Sequence, residues 1–284
     1  MTLRDFYKYF IEKLSVEYDA SEATAICSIV FEKIAAVTKK ELITNQEMHL
    51  DVDKAIQISH ALQELLTHRP VQYVIGEAWF YVLPFLVNEH VLIPRPETEE
   101  LVRYVLVYLE NRPPRKILDI GSGSGCIPVV IKKFAPENTI ESIDISEEAL
   151  QVAKKNAGDH STEIKWQCLD FLDEENWSQL GHFDIIISNP PYIPESEKKA
   201  MDKNVAAYEP SLALFVTNER PLIFYEKILS FAEVHLNMGG KIFLETHKDL
   251  SGQVATLYAN KNYKVEIKKD ISGNDRMVIA TRFR

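Results

Sequence analysis

Apolar residues at Leu3, Phe6, Tyr7, Phe10 and Leu14 recur at spacings of three and four, the stripe of a helix, with Thr2 placed to cap its start. Ala25, Ile26, Ile29, Val30, Ile34 and Val37 repeat the pattern and predict a second helix from Ser21. A third set, Ala55, Ile56, Ser59, Leu62, Leu65 and Leu66, stops before Pro70, whose ring and missing N–H a helix interior rejects. Residues 1–75 therefore read as a small helical bundle, because each helix must bury its own apolar side.

From Trp79 to Ile93 the chain turns aromatic and β-branched, interrupted by Pro84 and the polar pair Asn88-Glu89, which predicts a hairpin. Beyond Glu97 helical patterns such as Leu101–Leu109, Glu147–Asn156 and Leu222–Ala232 alternate with short apolar runs. The runs are Lys116–Ile120, Thr139–Ile143, Ile164–Cys168, Phe183–Ser188 and Lys241–Glu245, and alternation of this kind builds a doubly wound α/β domain. Tyr263–Ile267 and Met277–Thr281 predict two last strands, one of them antiparallel. The division expected is a helical domain at 1–75, a β-hairpin linker at 76–95 and an α/β domain at 96–284.

At 284 residues the chain is long enough for a sizeable core without disulfides or metal. Cys27, Cys126 and Cys168 are odd in number and far apart, which fits a reducing compartment and no metal site. The N-terminus carries Asp5 and Glu12 where a signal peptide needs an apolar core, and no run of apolar residues is long enough to span a membrane, so a cytoplasmic protein is expected. The net charge of −10 makes a poor polyanion binder and argues against direct DNA binding.

The chemistry sits at the ends of the predicted strands. Asp119-Ile120-Gly121-Ser122-Gly123-Ser124-Gly125 follows the first strand, and small residues there let backbone approach a ligand at a helix N-terminus. A dinucleotide fingerprint would need glycine at position 126, which is Cys126; D-x-G-x-G-x-G instead resembles the S-adenosylmethionine (SAM) turn of class I methyltransferases. A purely structural turn is the alternative. Asp144, followed by Ile145 and ending the second strand, is placed for ribose hydroxyls, the alternative role of helix N-cap being filled by Ser146. Asp170 and Phe171 after the third strand suit an adenine amino group and its ring, or else are a loop acid beside a core aromatic.

Asn189-Pro190-Pro191-Tyr192 follows Phe183–Ser188 directly. It is similar to the signature of methyltransferases that modify a planar NH2 nitrogen, whose delocalised lone pair is barely nucleophilic. The Asn189 side-chain oxygen and the Pro190 carbonyl can hold both N–H bonds, the paired prolines keep the carbonyls out of regular structure, and Tyr192 offers a flat face.

Together these residues resemble the HemK/PrmC family, the protein-(glutamine-N5) methyltransferases of peptide-chain release factors, over nearly the whole chain. Supporting blocks are Pro70–Gly76, Ile93-Pro94-Arg95-Pro96-Glu97-Thr98-Glu99, Tyr208-Glu209-Pro210-Ser211-Leu212-Ala213-Leu214 and Asp270–Arg276. The family usually has proline where this chain has Met238, in a turn before a strand. The resemblance implies a class I SAM-dependent fold with a mostly parallel seven-stranded sheet. It also implies methyl transfer from SAM to the glutamine of the Gly-Gly-Gln motif in a release factor, leaving S-adenosylhomocysteine. Arg95 to Thr98 would shape the cofactor side of the pocket, Arg95 and Glu97 would also bind substrate, and Asn189, Pro190 and Tyr192 would carry catalysis. Thr98 before Glu99-Glu100-Leu101 reads equally well as an ordinary helix start. Two rivals remain at this point: a nucleic-acid amino-methyltransferase of the adenine N6 type, which the acidic balance opposes, and a SAM-binding module without catalysis, which an intact Asn189 and Tyr192 oppose.

Overall fold

The computed structural model describes residues 2–45 and 47–283. The chain divides into two compact units, Met1–Glu77 with Asp202–Tyr208, and Ala78–Met201 with Glu209–Arg284.

The first unit holds α1 (Leu3–Leu14), α2 (Ala20–Ala35), α3 (Lys39–Thr44), α4 (Val52–Leu65) and α5 (Val71–Ile75). Thr2 caps α1 by accepting the Asp5 N–H at 3.2 Å. The second helix starts at Ala20 rather than Ser21, because Asp19 accepts from the N–H groups of Ser21 and Glu22 at 2.8 and 2.9 Å. Leu3, Phe6, Phe10, Phe31, Ile58 and Leu62 close one core. The Asp202–Tyr208 segment, far along the chain, belongs here too: the Tyr208 hydroxyl donates to the Thr67 carbonyl at 2.9 Å.

The second unit opens on a hairpin, β1 (Glu77–Phe80, its first residue counted with the first unit) and β2 (Leu83–Leu86), and then alternates. Its elements are α6 (Pro96–Leu109), β3 (Lys116–Ile120), α7 (Cys126–Phe134), β4 (Thr139–Asp144), α8 (Glu147–Asp159), β5 (Lys165–Cys168) and β6 (Phe183–Ser188). There follow β7 (Ile193–Pro194), α9 (Lys203–Tyr208, of the first unit), α10 (Ser211–Leu214), β8 (Phe215–Val216) and α11 (Ile223–His235). The chain ends in β9 (Leu236–Glu245), α12 (Ser251–Ala259), β10 (Tyr263–Lys269) and β11 (Asp275–Arg282).

Seven strands form one sheet in the order β10-β11-β9-β6-β3-β4-β5, parallel except for β11, which runs against both its neighbours. Strands buried on both faces explain the near-continuous apolar runs. Leu118, Ile120, Ile186 and Leu244 face one core with α11 and α12, while Ile117, Ile185, Ile187 and Phe243 face the other with α6 and α7. Ile185, Ile186 and Ile187 are each fully buried and contribute about 1.5–3 kcal/mol apiece by leaving water. The strand order reverses at β3, which lies between β4 and β6, and ligands of such sheets bind in the crevice beyond the strand ends at that reversal.

Candidate active site

The register of the sheet collects the chemistry. Ile120 pairs with Ser188 and with Ile143, and Asp144 pairs with Cys168, so the glycine turn, Asn189, Asp144 and Asp170 all leave the same edge. They surround a cavity of about 620 Å3, a size suited to a small-molecule ligand. Gly121, Ser122, Gly123, Ser124, Asp144, Ile145, Asp170, Phe171, Asn189, Pro190, Pro191 and Arg95 line it. Asp119, Gly125, Glu97 and Tyr192 do not.

The turn from β3 into α7 needs left-handed backbone at Gly121 and Gly125, with φ of 86° and 77°. At Gly125 the reason is also steric, since a Cβ would meet Ala153 and Trp166 at 3.0–3.1 Å. Gly123 N–H donates to Asp144 Oδ2 at 2.8 Å, and Ser146 N–H donates to Oδ1 at 3.0 Å. Burial outweighs these two bonds and raises the Asp144 pKa. Each Asp144 oxygen retains a lone pair for a further donor. Ser146 caps α8 through the Ala149 N–H at 3.0 Å, so Asp144 is not the helix cap.

Asp119 lies beneath the turn. Its Oδ2 accepts from Ser142 Oγ at 2.5 Å, whereas Oδ1 and the nearby Ser124 Oγ are buried with no partner. Burial, followed by the Asp144 charge, pushes the Asp119 carboxyl up to about 8 against the Ser142 bond. The folded chain therefore holds a proton here that the unfolded chain gives up near pH 4, so stability falls as pH rises from about 4 to about 8. Urea unfolding of the ligand-free chain at pH 5, 6.5 and 8 is expected to show this decline and Asp119→Asn to reduce its slope. A slope unaffected by the substitution would remove Asp119 as its source.

Asp170 Oδ1 accepts the Leu172 N–H at 2.9 Å, the local turn of a loop acid. Phe171 lines the cavity but is 5% exposed and packs 5.5–5.6 Å from Phe231 and Trp177, so most of its ring is core.

Beyond β6 the Asn189 Nδ2 donates to Thr98 Oγ1 at 3.1 Å. No described residue donates to Asn189 Oδ1 or to the Pro190 carbonyl. Tyr192 turns away from the cavity, its hydroxyl donating to Glu245 Oε1 at 3.4 Å and its ring packing against the core. Thr98 does not start a helix: Pro96 occupies the first position of α6, where its missing N–H costs nothing, and Thr98 sits buried in the first turn on the cavity wall.

Two acids that sequence reasoning passed over hold the rest. Glu209 accepts from Arg95 Nη2 at 2.5 Å and from the Ile93 N–H at 3.2 Å, with a side chain 1% exposed. Glu245, 2% exposed at the end of β9, accepts from Thr98 Oγ1 at 2.7 Å. The signal that singled out Asp144, an acid closing an apolar strand, was present in Lys241–Glu245 as well. Among the described residues no His/Cys/Asp/Glu group could hold a metal ion, and no helix is long and apolar enough to cross a membrane.

Residues 5–76 match the profile of the PrmC N-terminal domain, and residues 101–208 match the methyltransferase small domain. A release factor glutamine methyltransferase of Flavobacterium psychrophilum is 38% identical over 282 residues, 98% of each chain. One of Bacteroides thetaiotaomicron is 35% identical over 275 residues, covering 96% of this chain and 98% of that one. Among solved structures, a methyltransferase from Pyrococcus furiosus is similar in fold, with a TM-score of 0.51 at 18% identity over 82% of this chain and all of that one. With the fold of a class I SAM-dependent methyltransferase, the chain belongs to the release factor glutamine methyltransferase family.

Proposed function

We propose that the chain transfers a methyl group from SAM to the side-chain amide nitrogen, N5, of the glutamine in the Gly-Gly-Gln motif of a peptide-chain release factor. Family membership supports the reaction. The single observation that carries it to these residues is the Asn189 carboxamide, held by its nitrogen with its oxygen unspent beside the Pro190 carbonyl.

The cavity suits SAM: Asp144 has acceptor capacity left for two ribose hydroxyls, Asp170 Oδ2 has room for an adenine amino group, and two orphaned polar atoms adjoin the glycine turn. When bound, SAM supplies an electrophilic methyl group on a sulfonium. Asn189 Oδ1 and the Pro190 carbonyl accept the two N–H bonds of the glutamine amide and leave its lone-pair lobe aimed along the line of displacement. Both acceptors also gain strength as positive charge grows on the nitrogen, which is where electrostatic catalysis acts. No base is needed before attack, because the methylated nitrogen becomes acidic and sheds its proton afterwards. Arg95 is fixed by Glu209 and lines the pocket.

Incubation with methyl-labelled SAM tests the reading. Label is expected on the glutamine of purified release factor; label on adenine in DNA or RNA, with none on release factor, would replace it with the nucleic-acid reading.

The helical unit has eight basic and eleven acidic residues between Met1 and Ile75, and none of its described residues lines the cavity, so we assign it a grip on the release factor away from the glutamine. Remote contacts of this kind position the reacting group. Whole release factor is accordingly expected to exceed a short Gly-Gly-Gln peptide by about 100-fold or more in kcat/KM, and equal values would remove that role. Release factors act where translation ends, and we place the chain in the cytoplasm with them.

A further inference from the structure

We propose that Glu245 is a positioning residue for the amide clamp, acting through the Thr98 hydroxyl to fix which end of the Asn189 carboxamide faces the substrate. The inference rests on the glutamine-methyltransferase reading of the site. Its basis is a chain of three side chains from three elements. Leu244 on β9 pairs with Ser188 on β6, so Glu245 and Asn189 leave adjacent strand ends, and Thr98 in the first turn of α6 bonds to both.

A carboxamide is nearly symmetrical in shape, so packing alone does not distinguish its oxygen from its nitrogen; its hydrogen bonds do. Thr98 Oγ1 carries one proton. Glu245 Oε2, 2.7 Å away, only accepts when ionised, so that proton is committed to the carboxylate. The hydroxyl then faces Asn189 with lone pairs alone, and only Nδ2 satisfies them, at 3.1 Å. Oδ1 is thereby turned to the substrate. Were the hydroxyl to donate to Asn189 instead, Oδ1 would be consumed and an NH2 group would confront the substrate's NH2.

The carboxylate is itself held in place. Tyr192 donates to its Oε1 at 3.4 Å, and Tyr225 on α11 donates to the Glu245 carbonyl at 3.1 Å. The charged groups that bear on it are Arg276 on β11, which favours ionisation, and Glu97 on α6, which opposes it. Burial dominates and pushes the carboxyl up to about 7. Once protonated, Glu245 can donate to Thr98 Oγ1 and reverse the whole relay, so turnover is expected to fall as pH drops below about 7.

The test uses the full chain and release factor. Thr98→Val keeps the shape and removes the hydroxyl; kcat is expected to fall about tenfold, the rate equivalent of one net hydrogen bond, with SAM affinity within about twofold. Thr98→Ser should restore kcat to within about threefold. In an Asn189→Ala background Thr98→Val should cost nothing further, since there is no carboxamide left to orient. Glu245→Gln, which can present either end of its own amide, should lose the pH dependence near 7. A Thr98→Val variant that turns over at the parent rate, or that loses the same factor with and without Asn189, overturns the proposal. If the parent itself fails to methylate release factor, the functional reading fails, and nuclear magnetic resonance still decides the relay. The Asn189 side-chain N–H signals, assigned by their loss in Asn189→Ala, should exchange slowly in the parent and quickly in Thr98→Val; equal exchange overturns it.

Discussion

Asn189→Ala is expected to lower turnover of release factor by about 100- to 1000-fold while SAM affinity stays within about twofold. The substitution removes one of two acceptors aimed at the reacting nitrogen. The loss is large because a preorganised acceptor interacts more strongly with the positive charge of the transition state than with the neutral ground-state amide. For the same reason the loss belongs in kcat at saturating substrate rather than in KM alone. Asn189 lines the cavity, but its nitrogen is engaged with Thr98, a residue outside the ribose and adenine positions, so the cofactor pocket is left intact. Steady-state rates on purified release factor and calorimetric SAM titration of the same sample check both halves. A variant at the parent rate would remove Asn189 from the chemistry.

Asp144→Ala is expected to weaken SAM by about 1.5–3 kcal/mol, the range for hydrogen bonds to a charged group, or roughly ten- to 150-fold in Kd. Its carboxylate also anchors the glycine turn through the Gly123 N–H and the start of α8 through the Ser146 N–H. Part of the loss therefore reaches the ligand through a loosened turn. Asp144→Asn separates the two contributions: its amide oxygen can keep one backbone N–H, while the other backbone N–H faces an NH2 group. Calorimetric titration of both variants against the parent is decisive, and an unchanged Kd for Asp144→Ala would leave the residue structural. At saturating SAM the rate is expected to recover, which distinguishes this variant from Asn189→Ala.

The central strands were legible because Ile185, Ile186 and Ile187 are buried whichever face of the sheet they point to, and an apolar run that short between turn residues suits a strand better than a helix. Their ends were legible too, and with them the positions of Gly121, Asp144 and Asn189, because Asp144 closes its strand and the other two follow theirs without an intervening loop. What the sequence concealed depends on distant partners. Thr98 looks like a helix cap until Pro96 takes the first helical position, and only the fold brings it within reach of Glu245, 147 residues on. Tyr192 shares a tetrapeptide with Asn189 but faces the core, since Pro190 and Pro191 set the backbone direction and not the side-chain direction. The short helices α3, α5 and α10 carry too few residues for a period to register.

The bond from Tyr208 to Thr67 spans 141 residues, and it places a late segment among the earliest helices. During synthesis the first five helices leave the ribosome without their sixth, which follows only after β6 and the Asn-Pro-Pro-Tyr segment have been made. The bundle is thus completed no earlier than the clamp residues. A graft of residues 1–77 onto another enzyme would carry its core but arrive without the segment on which Thr67 closes.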